Sequence, residues 1–293
     1  MIKIKAHAKV NLFLEVTGKR ADGYHELATV FARVAAGDEL LLRRSRTPGI
    51  GLKVEGGPGL GKISDNLVYK AAESFFKAFR LPPAVEITLR KVLPVGAGLG
   101  GGSSDAASTL LGLCRLYRVP VKANAAKLHR LAAGLGSDVP FFMLESRAAA
   151  ATGRGEKLKA LAVRGKMPAV VIVYPGRPVF TREAFGRLRL APRPAIKRRL
   201  AAFREMISAL ELGRFTAAGS AGLFNRLEET VLPLHKEVRL AKARLEKAGA
   251  DAVLMSGSGA AVFALAWKPG RARRIAEALE NNRNYTVFFT KFC

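Results

Sequence analysis

One stretch constrains the fold more than any other: Pro94-Val95-Gly96-Ala97-Gly98-Leu99-Gly100-Gly101-Gly102-Ser103-Ser104-Asp105-Ala106-Ala107. An apolar, β-branched run (Val85-Glu86-Ile87-Thr88-Leu89) precedes it at strand spacing. An Ala- and Leu-rich run from Ala106 to Tyr117 follows it at helical spacing. A strand, a glycine loop and a helix start together make an anion site. Glycine adopts positive φ and carries no side chain, so backbone N–H groups can converge. The helix N-terminus adds unpaired N–H groups and the positive end of its dipole. Ser103 and Ser104 bring hydroxyls where a phosphate oxygen or its metal would lie. A plain turn has no need of these glycines leading into a serine-capped helix. The loop is not a Walker A loop, because Gly102 runs into Ser103 with no lysine. Gly96, Gly98 and Gly101 do meet the G-x-G-x-x-G spacing. No clear βαβ unit with an acidic residue about 20 positions on accompanies them. Phosphate binding follows; the nucleotide stays open on this stretch alone.

The chain has 293 residues, enough for one large or two ordinary domains, and 49% hydrophobic content predicts a packed core. No segment reaches the roughly 18 uncharged apolar residues of a membrane span. Met1-Ile2-Lys3-Ile4-Lys5 alternates like a strand and lacks the apolar block of a secretory signal. A soluble, cytoplasmic protein is expected. Cys114 and Cys293 form no metal-spaced pair, and Cys114 reads as a buried free thiol. The net charge of +26 raises a nucleic-acid partner as a hypothesis. Its clusters, Arg43-Arg44-Ser45-Arg46 and Lys197-Arg198-Arg199, lack the interleaved aromatics that stack bases. A solvated basic surface with no specific nucleic acid and no membrane is the expectation.

Alternation predicts strands at 2–8, 9–17, 28–35, 38–44, 50–55 and 84–91. A helix is expected at 66–80, capped by Ser64 or Asp65, one after the glycine loop, and one from Ala123 to Ala133 stopped by Gly134 and Gly136. Between 153 and 169 periodicity is lost. Beyond it come a buried strand at 169–174, helices at 182–188, 194–211, 213–219 and 235–248, and strands at 251–256 and 261–267. A helix at 270–280 and a strand at 284–292 close the chain. The change in pattern near 150–165 separates a strand-rich half from a mixed α+β half.

Three further segments are polar within apolar surroundings. In Ala8-Lys9-Val10-Asn11-Leu12, Lys9 and Asn11 share one strand face, which read alone is the wet side of a sheet. Asp22-Gly23 signals a turn, after which Tyr24 and His25 offer a π face and an imidazole, a pair able to hold a base or simply a hairpin with an ordinary tyrosine. In Gly136-Ser137-Asp138-Val139-Pro140, Asp138 is either the N-cap of a helix with Pro140 just inside it, or a catalytic carboxylate. A neighbouring ammonium would keep such a carboxylate ionised.

Taken in order, these segments resemble the GHMP small-molecule kinases. The loop is similar to that superfamily's Pro-x-x-x-Gly-Leu-Gly-Ser-Ser pattern, with two extra glycines before Ser103. Ala8-Lys9-Val10-Asn11-Leu12-Phe13-Leu14, Arg20-Ala21-Asp22-Gly23-Tyr24-His25 and Leu135-Gly136-Ser137-Asp138-Val139-Pro140 resemble the branch that phosphorylates 4-diphosphocytidyl-2-C-methyl-D-erythritol. Asp65-Asn66-Leu67, Gly153-Arg154-Gly155-Glu156, Tyr174-Pro175-Gly176, Phe224-Asn225-Arg226-Leu227-Glu228 and Ser256-Gly257-Ser258-Gly259-Ala260 extend the resemblance over nearly the whole chain.

The resemblance implies an α+β, two-domain GHMP kinase fold. Residues 1–155 would form an ATP-binding domain like domain 2 of ribosomal protein S5, and 156–293 a ferredoxin-like substrate-binding domain. It implies transfer of the γ-phosphoryl group of ATP to the substrate's 2-hydroxyl, in the non-mevalonate route to isoprenoid precursors. By motif, Asp138 is the general base, and Lys9 orients it and offsets charge on the transferred group. The expected geometry has the two in hydrogen-bond or one-water reach. Pro94, Gly96, Gly98, Leu99, Gly100, Gly101, Gly102, Ser103 and Ser104 form the phosphate loop, with Asn66 and Lys91 at the nucleoside end of ATP. Asn11 places the methylerythritol arm, Tyr24 stacks on cytosine, His25 reads its edge, and Phe185 forms the opposite face. Tyr174, Thr181 and Gly257–Gly259 border the substrate. Mg²⁺ is implied with ligands unassigned beyond Ser103 or Ser104, and a monomer or weak homodimer is expected. Two other readings stay open here: a GHMP kinase for homoserine or a mevalonate derivative, and a basic nucleic-acid-binding protein.

Overall fold

The computed structural model describes residues 1–57, 61–217 and 222–293. Its contacts divide the chain into two compact units that alternate along it. Met1–Ala8, Gly37–Val95 and Gly100–Glu145 form the first, and Lys9–Ala36, Gly96–Leu99 and Ser146–Cys293 the second. Two long strands, β1 (Ile2–Lys19) and β2 (His25–Arg44), each run from one unit into the other. The spacing predicts a break in each, yet the backbone is continuous through 8–9 and through 35–38. Gly37 is no strand breaker. A Cβ there would stand 2.3 Å from the Ala6 carbonyl oxygen, so the glycine permits close approach of neighbouring backbone.

In the first unit, β3 (Gly49–Glu55) runs parallel to β4 (Ala84–Arg90), with Ile50 opposite Val85 and Leu52 opposite Ile87. The end of β2 lies antiparallel to β4, with Leu40 opposite Leu89 and Leu42 opposite Ile87. Four helices follow: α1 (Leu67–Phe79), α2 (Gly101–Tyr117), α3 (Ala125–Leu135) and α4 (Val139–Met143). Val68, Ala71, Ala72, Phe75 and Phe76 recur at helical spacing and bury one face of α1. Asn66, rather than Ser64 or Asp65, is its cap, its Oδ1 accepting from the Val68 N–H at 2.9 Å. At Gly112 of α2 a Cβ would stand 2.9 Å from Leu42 Cδ1 and 3.2 Å from Ile4 Cδ1, so a larger residue would push the helix off the sheet.

In the second unit, the start of β2 pairs antiparallel with β5 (Ala148–Gly153), which pairs with β6 (Lys157–Leu161). β6 lies in the stretch where periodicity is lost, and β5 ends where that stretch begins. Alanine has little β-propensity, and Ala148–Ala151 is a strand because Phe31 and its neighbours lie opposite it. β7 (Ala169–Tyr174) precedes α5 (Thr181–Gly186) and α6 (Arg193–Glu211). β8 (Phe224–Asn225) runs parallel to β1, with Phe13 opposite Phe224. Then come α7 (Glu228–Leu234), α8 (Lys236–Lys247), β9 (Ala252–Met255), β10 (Val262–Ala266), α9 (Pro269–Glu280) and β11 (Thr286–Lys291). β7, β9, β10 and β11 make an antiparallel sheet in the order β11-β7-β10-β9, the ferredoxin-like arrangement, around Val171, Ile172, Phe263 and Leu265. The helix expected at 213–219 is turn and coil through Ala217, and its last two residues lie outside the described ones. Helix α7 carries no sequence signal of its own, since Pro233 sits inside it. Among the described residues no helix is long and apolar enough to cross a membrane.

Candidate active site

In the first unit the glycine loop ends where α2 begins. Gly100 takes the left-handed conformation (φ 70°) at the N-cap, and the helix starts at Gly101. The cap is therefore glycine rather than serine. Ser103 and Ser104 lie in the first turn, with the Ser104 N–H donating to the Gly100 carbonyl at 2.9 Å. Ser104 is buried and Ser103 half-buried, which leaves Ser103 and the first N–H groups of the helix available to an anion. The turn before α4 reaches the same place: a Cβ on Gly136 would stand 3.9 Å from Ser103 Oγ. Asp138 occupies the N-cap position of α4, with Pro140 in the first turn, but its carboxylate makes no cap hydrogen bond. The capping account of Asp138 is thus met in position and not in chemistry.

Lys91, at the end of β4, is buried between two acids. Its Nζ lies 2.5 Å from Asp38 Oδ2 and 2.9 Å from Asp105 Oδ2. Asp38 Oδ1 also accepts the N–H groups of Val92 and Leu93, at 2.5 and 2.8 Å. This cluster ties the end of β4 to the start of α2. Burial, reinforced by the charge of Asp38 and opposed by Lys91, pushes the Asp105 carboxyl up to about 7.

The second unit holds the first half of the loop. At Gly98 (φ 74°) a Cβ would fall 2.1 Å from the Ser256 carbonyl oxygen, so only glycine fits. The Ser256 hydroxyl donates to the Gly98 carbonyl at 2.9 Å, Ala261 N–H to Ala97 at 3.0 Å, and Lys9 N–H to Leu99 at 2.9 Å. Lys9 and Asn11 do share a strand face, but that face is buried, at 4% and 1% exposure. The wet-sheet reading of the pair fails because the 257–259 turn covers them. A Cβ on Gly257 would stand 3.2 Å from Lys9 Nζ and 3.4 Å from Asn11 Oδ1. Lys9 Nζ donates to Asn11 Oδ1 at 2.7 Å and stands 5.3 Å from the centre of the Phe31 ring. Asn225 holds the turn from beneath, its Nδ2 donating to the Met255 and Gly257 carbonyls, both at 2.8 Å. Thr181 and Ser258 hydroxyls meet at 3.1 Å.

The aromatic residues lie in the same unit. His25 and Phe185 rings stack at 5.2 Å with 31° between planes. Tyr24 is half exposed, and the Arg154 guanidinium lies over its ring at 4.7 Å. Phe185 therefore meets His25, and the face of Tyr24 carries Arg154, a residue of the quoted Gly153-Arg154-Gly155-Glu156 motif to which no role had been assigned. Burial, with help from Lys19, holds His25 below its ordinary value. At neutral pH its ring offers one donor and one acceptor. Tyr174 closes β7 opposite Thr286, and burial raises its hydroxyl. Sequence reasoning had given no role to Asp38 and Asp105, which hold Lys91 in the first unit, or to Thr29, Asn225 and Ser256, which hydrogen-bond around Asn11 and the 255–257 turn in the second. Asp105 and Asn225 stand inside quoted motifs and were within reach of sequence reasoning; Thr29 and Asp38 carry no local signal. Among the described residues no group of three or more His, Cys, Asp or Glu is placed to hold a metal ion.

Comparisons with known proteins give the family of the chain. The chain matches the model of the GHMP kinases N terminal domain over residues 66–146 and that of the GHMP kinases C terminal over residues 193–285. It is 40% identical over 290 residues to the 4-diphosphocytidyl-2-C-methyl-D-erythritol kinase of Exiguobacterium sibiricum, spanning 98% of this chain and 97% of that one. It is 42% identical over 277 residues to the enzyme of that name from Thermus thermophilus, spanning 94% and 91%. A crystal structure of a 4-(cytidine 5'-diphospho)-2C-methyl-D-erythritol kinase superposes over the whole of both chains with a TM-score of 0.80 and 37% identity. A homoserine kinase from Cytophaga hutchinsonii, 20% identical, shares the fold with a TM-score of 0.73 over 97% of this chain and 94% of its own. The chain belongs to the GHMP kinases and, within them, to the family of 4-diphosphocytidyl-2-C-methyl-D-erythritol kinases.

Proposed function

We propose that this kinase transfers the γ-phosphoryl group of ATP to the 2-hydroxyl of 4-diphosphocytidyl-2-C-methyl-D-erythritol, a step of the non-mevalonate route to isoprenoid precursors. The observation that carries the mechanism is the approach of the turn at Gly136, two residues before Asp138, to Ser103 at the start of α2. Asp138 accepts the hydroxyl proton as the oxygen bonds to the γ-phosphorus and the bond to the leaving ADP breaks. Lys9 offsets charge on the transferred group. Pro94, Leu99, the loop glycines, Ser103 and Ser104 shape the cradle for the phosphates, with Asn66 at the nucleoside end. Lys91, its ammonium held by Asp38 and Asp105, braces that cradle.

Asn11, Tyr174 and Thr181 border the alcohol, Tyr24 and Phe185 flank the cytosine, and neutral His25 reads its edge. ATP is the phosphoryl donor of this family. Charge neutralisation on the β- and γ-phosphate oxygens is what Mg²⁺ supplies when bound. The residues fit such an ion held mainly by the nucleotide: Ser103 offers one hydroxyl, and Asp105 is already engaged by Lys91. ATP turnover in a cytoplasmic setting, by a monomer or weak homodimer, completes the reading.

The test compares ATP consumption with the cytidylyl alcohol and with the same alcohol lacking cytosine. Turnover of the first and not the second is expected; equal turnover would point to another GHMP kinase substrate. Asp138→Asn is expected to lower kcat by about 10²- to 10⁴-fold while the protein stays folded. Near-normal turnover would remove Asp138 from the role of base.

A further inference from the structure

Lys9, Asn11, Thr29 and the Phe13 carbonyl form a directed chain of hydrogen bonds within the second unit. Lys9 Nζ donates to Asn11 Oδ1 at 2.7 Å, Asn11 Nδ2 donates to Thr29 Oγ1 at 2.9 Å, and Thr29 Oγ1 donates to the Phe13 carbonyl at 2.6 Å. Asn11 and Thr29 are each 1% exposed. Each end of the chain has a single polarity. An ammonium only donates, so it must face the amide oxygen; a carbonyl only accepts, so it must take the hydroxyl proton. With its proton committed to Phe13, Thr29 can only accept from Asn11. The Asn11 amide therefore has one orientation.

We propose that Thr29 is a positioning residue for phosphoryl transfer: it locks the Asn11 amide so that its oxygen aims the Lys9 ammonium. The proposal rests on the reading of Lys9 as catalytic. Precision matters here because Lys9 Nζ and Asn11 Oδ1 lie in van der Waals reach of a Cβ at Gly257, whose own turn abuts the Gly98 carbonyl. A lysine that swings as the amide rotates meets that turn. The chain is also braced from outside the site, because Thr29 sits opposite Ala151 on β5 and Phe13 opposite Phe224 on β8. Pairing with β5 and β8 thus braces the chain that sets the direction of the ammonium.

Thr29→Val keeps the shape and removes the hydroxyl. It is expected to lower kcat about 10- to 100-fold, with KM for ATP and for the cytidylyl alcohol within about 3-fold, as for a small misplacement of a catalytic group. Thr29→Ser keeps the hydroxyl and is expected to restore kcat to within about 3-fold of the parent. A purely structural role would instead reduce the folded fraction and leave kcat per folded molecule unchanged. A folded Thr29→Val protein with parental kcat overturns the proposal, as does a Thr29→Ser protein as slow as Thr29→Val. Should Thr29→Val not fold, the parent protein carries the test. The Asn11 side-chain amide protons, assigned by their loss in Asn11→Asp, should exchange slowly with solvent by NMR; fast exchange overturns the chain. A parent enzyme that retains this protection but does not turn over the cytidylyl alcohol overturns the functional reading and leaves the hydrogen-bond chain standing.

Discussion

Each unit buries a cation between two acids, and the two clusters solve the same problem differently. In the second unit Arg226 forks onto Glu15, Nε and Nη2 each donating to one carboxylate oxygen at 2.8 Å. Its remaining arm meets Glu229, which is 58% exposed. The dry acid is saturated and the surplus negative charge sits in water. In the first unit Lys91 is shared by Asp38 and Asp105, all three side chains 4% exposed or less. Asp105 Oδ1 is buried with no hydrogen-bond partner. Here the surplus negative charge is dry, and burial shifts the Asp105 carboxyl toward its protonated form. A planar fork can satisfy one carboxylate completely, whereas a point charge divided between two leaves lone pairs unanswered. The contrast also falls on function, since Asp105 follows Ser104 in α2 while Arg226 follows Asn225, which holds the 255–257 turn.

Removing the shared lysine should break the comparison most sharply. Lys91→Met leaves two buried carboxylates facing each other and is expected to destabilise the protein by about 3–5 kcal/mol. The loss should be smaller near pH 5 than near pH 8, because a carboxyl that already binds its proton tightly can relieve the repulsion. Thermal melts at the two pH values read it, and equal losses would mean that the acids are not sharing one dry site. Arg226→Lys comes next. It keeps the charge and loses the fork, and should cost about 1–3 kcal/mol in denaturant unfolding. No loss would show that the fork is replaceable by a point charge.

Asp105→Asn is the smallest change and tests the sign. The folded Asp105 carboxyl is raised to about 7 from the ordinary carboxyl value near 4, so between these values the folded state holds a proton that the unfolded state has released. Its contribution to stability is complete below about pH 4 and is lost as the pH rises through about 7. Asp105→Asn should flatten that slope and, near pH 8, gain on the order of 1 kcal/mol over the parent. Parallel stability curves for the two proteins would place the strained acid elsewhere.

Legibility followed distance along the chain. The loop from Pro94 to Ser104, the Asp138-Val139-Pro140 helix start and the Tyr24-His25 pair were readable because a turn, a cap or a motif is settled within a few residues. The buried state of Lys9 and Asn11 was not readable, since the turn at Gly257 that covers them lies far along the chain. The same holds for the strand at Ala148–Ala151, where residues of low β-propensity follow the pairing offered by β2. Arg226 and Glu15 stand 211 positions apart, and neither residue type at its place announces the other.

From the order of residues alone came a glycine loop leading into a helix, a carboxylate at a helix start, an aromatic-imidazole pair and the resemblance to one kinase branch. These depend on backbone sterics and hydrogen bonds between near neighbours, which each short segment specifies for itself. Only the folded molecule decided that the Lys9 face is dry, that Thr29 orients Asn11, that Lys91 belongs to Asp38 and Asp105, and that Phe185 meets His25. Burial and polarity at those positions arise from strands and turns brought together across long stretches of chain, so no local pattern could carry them.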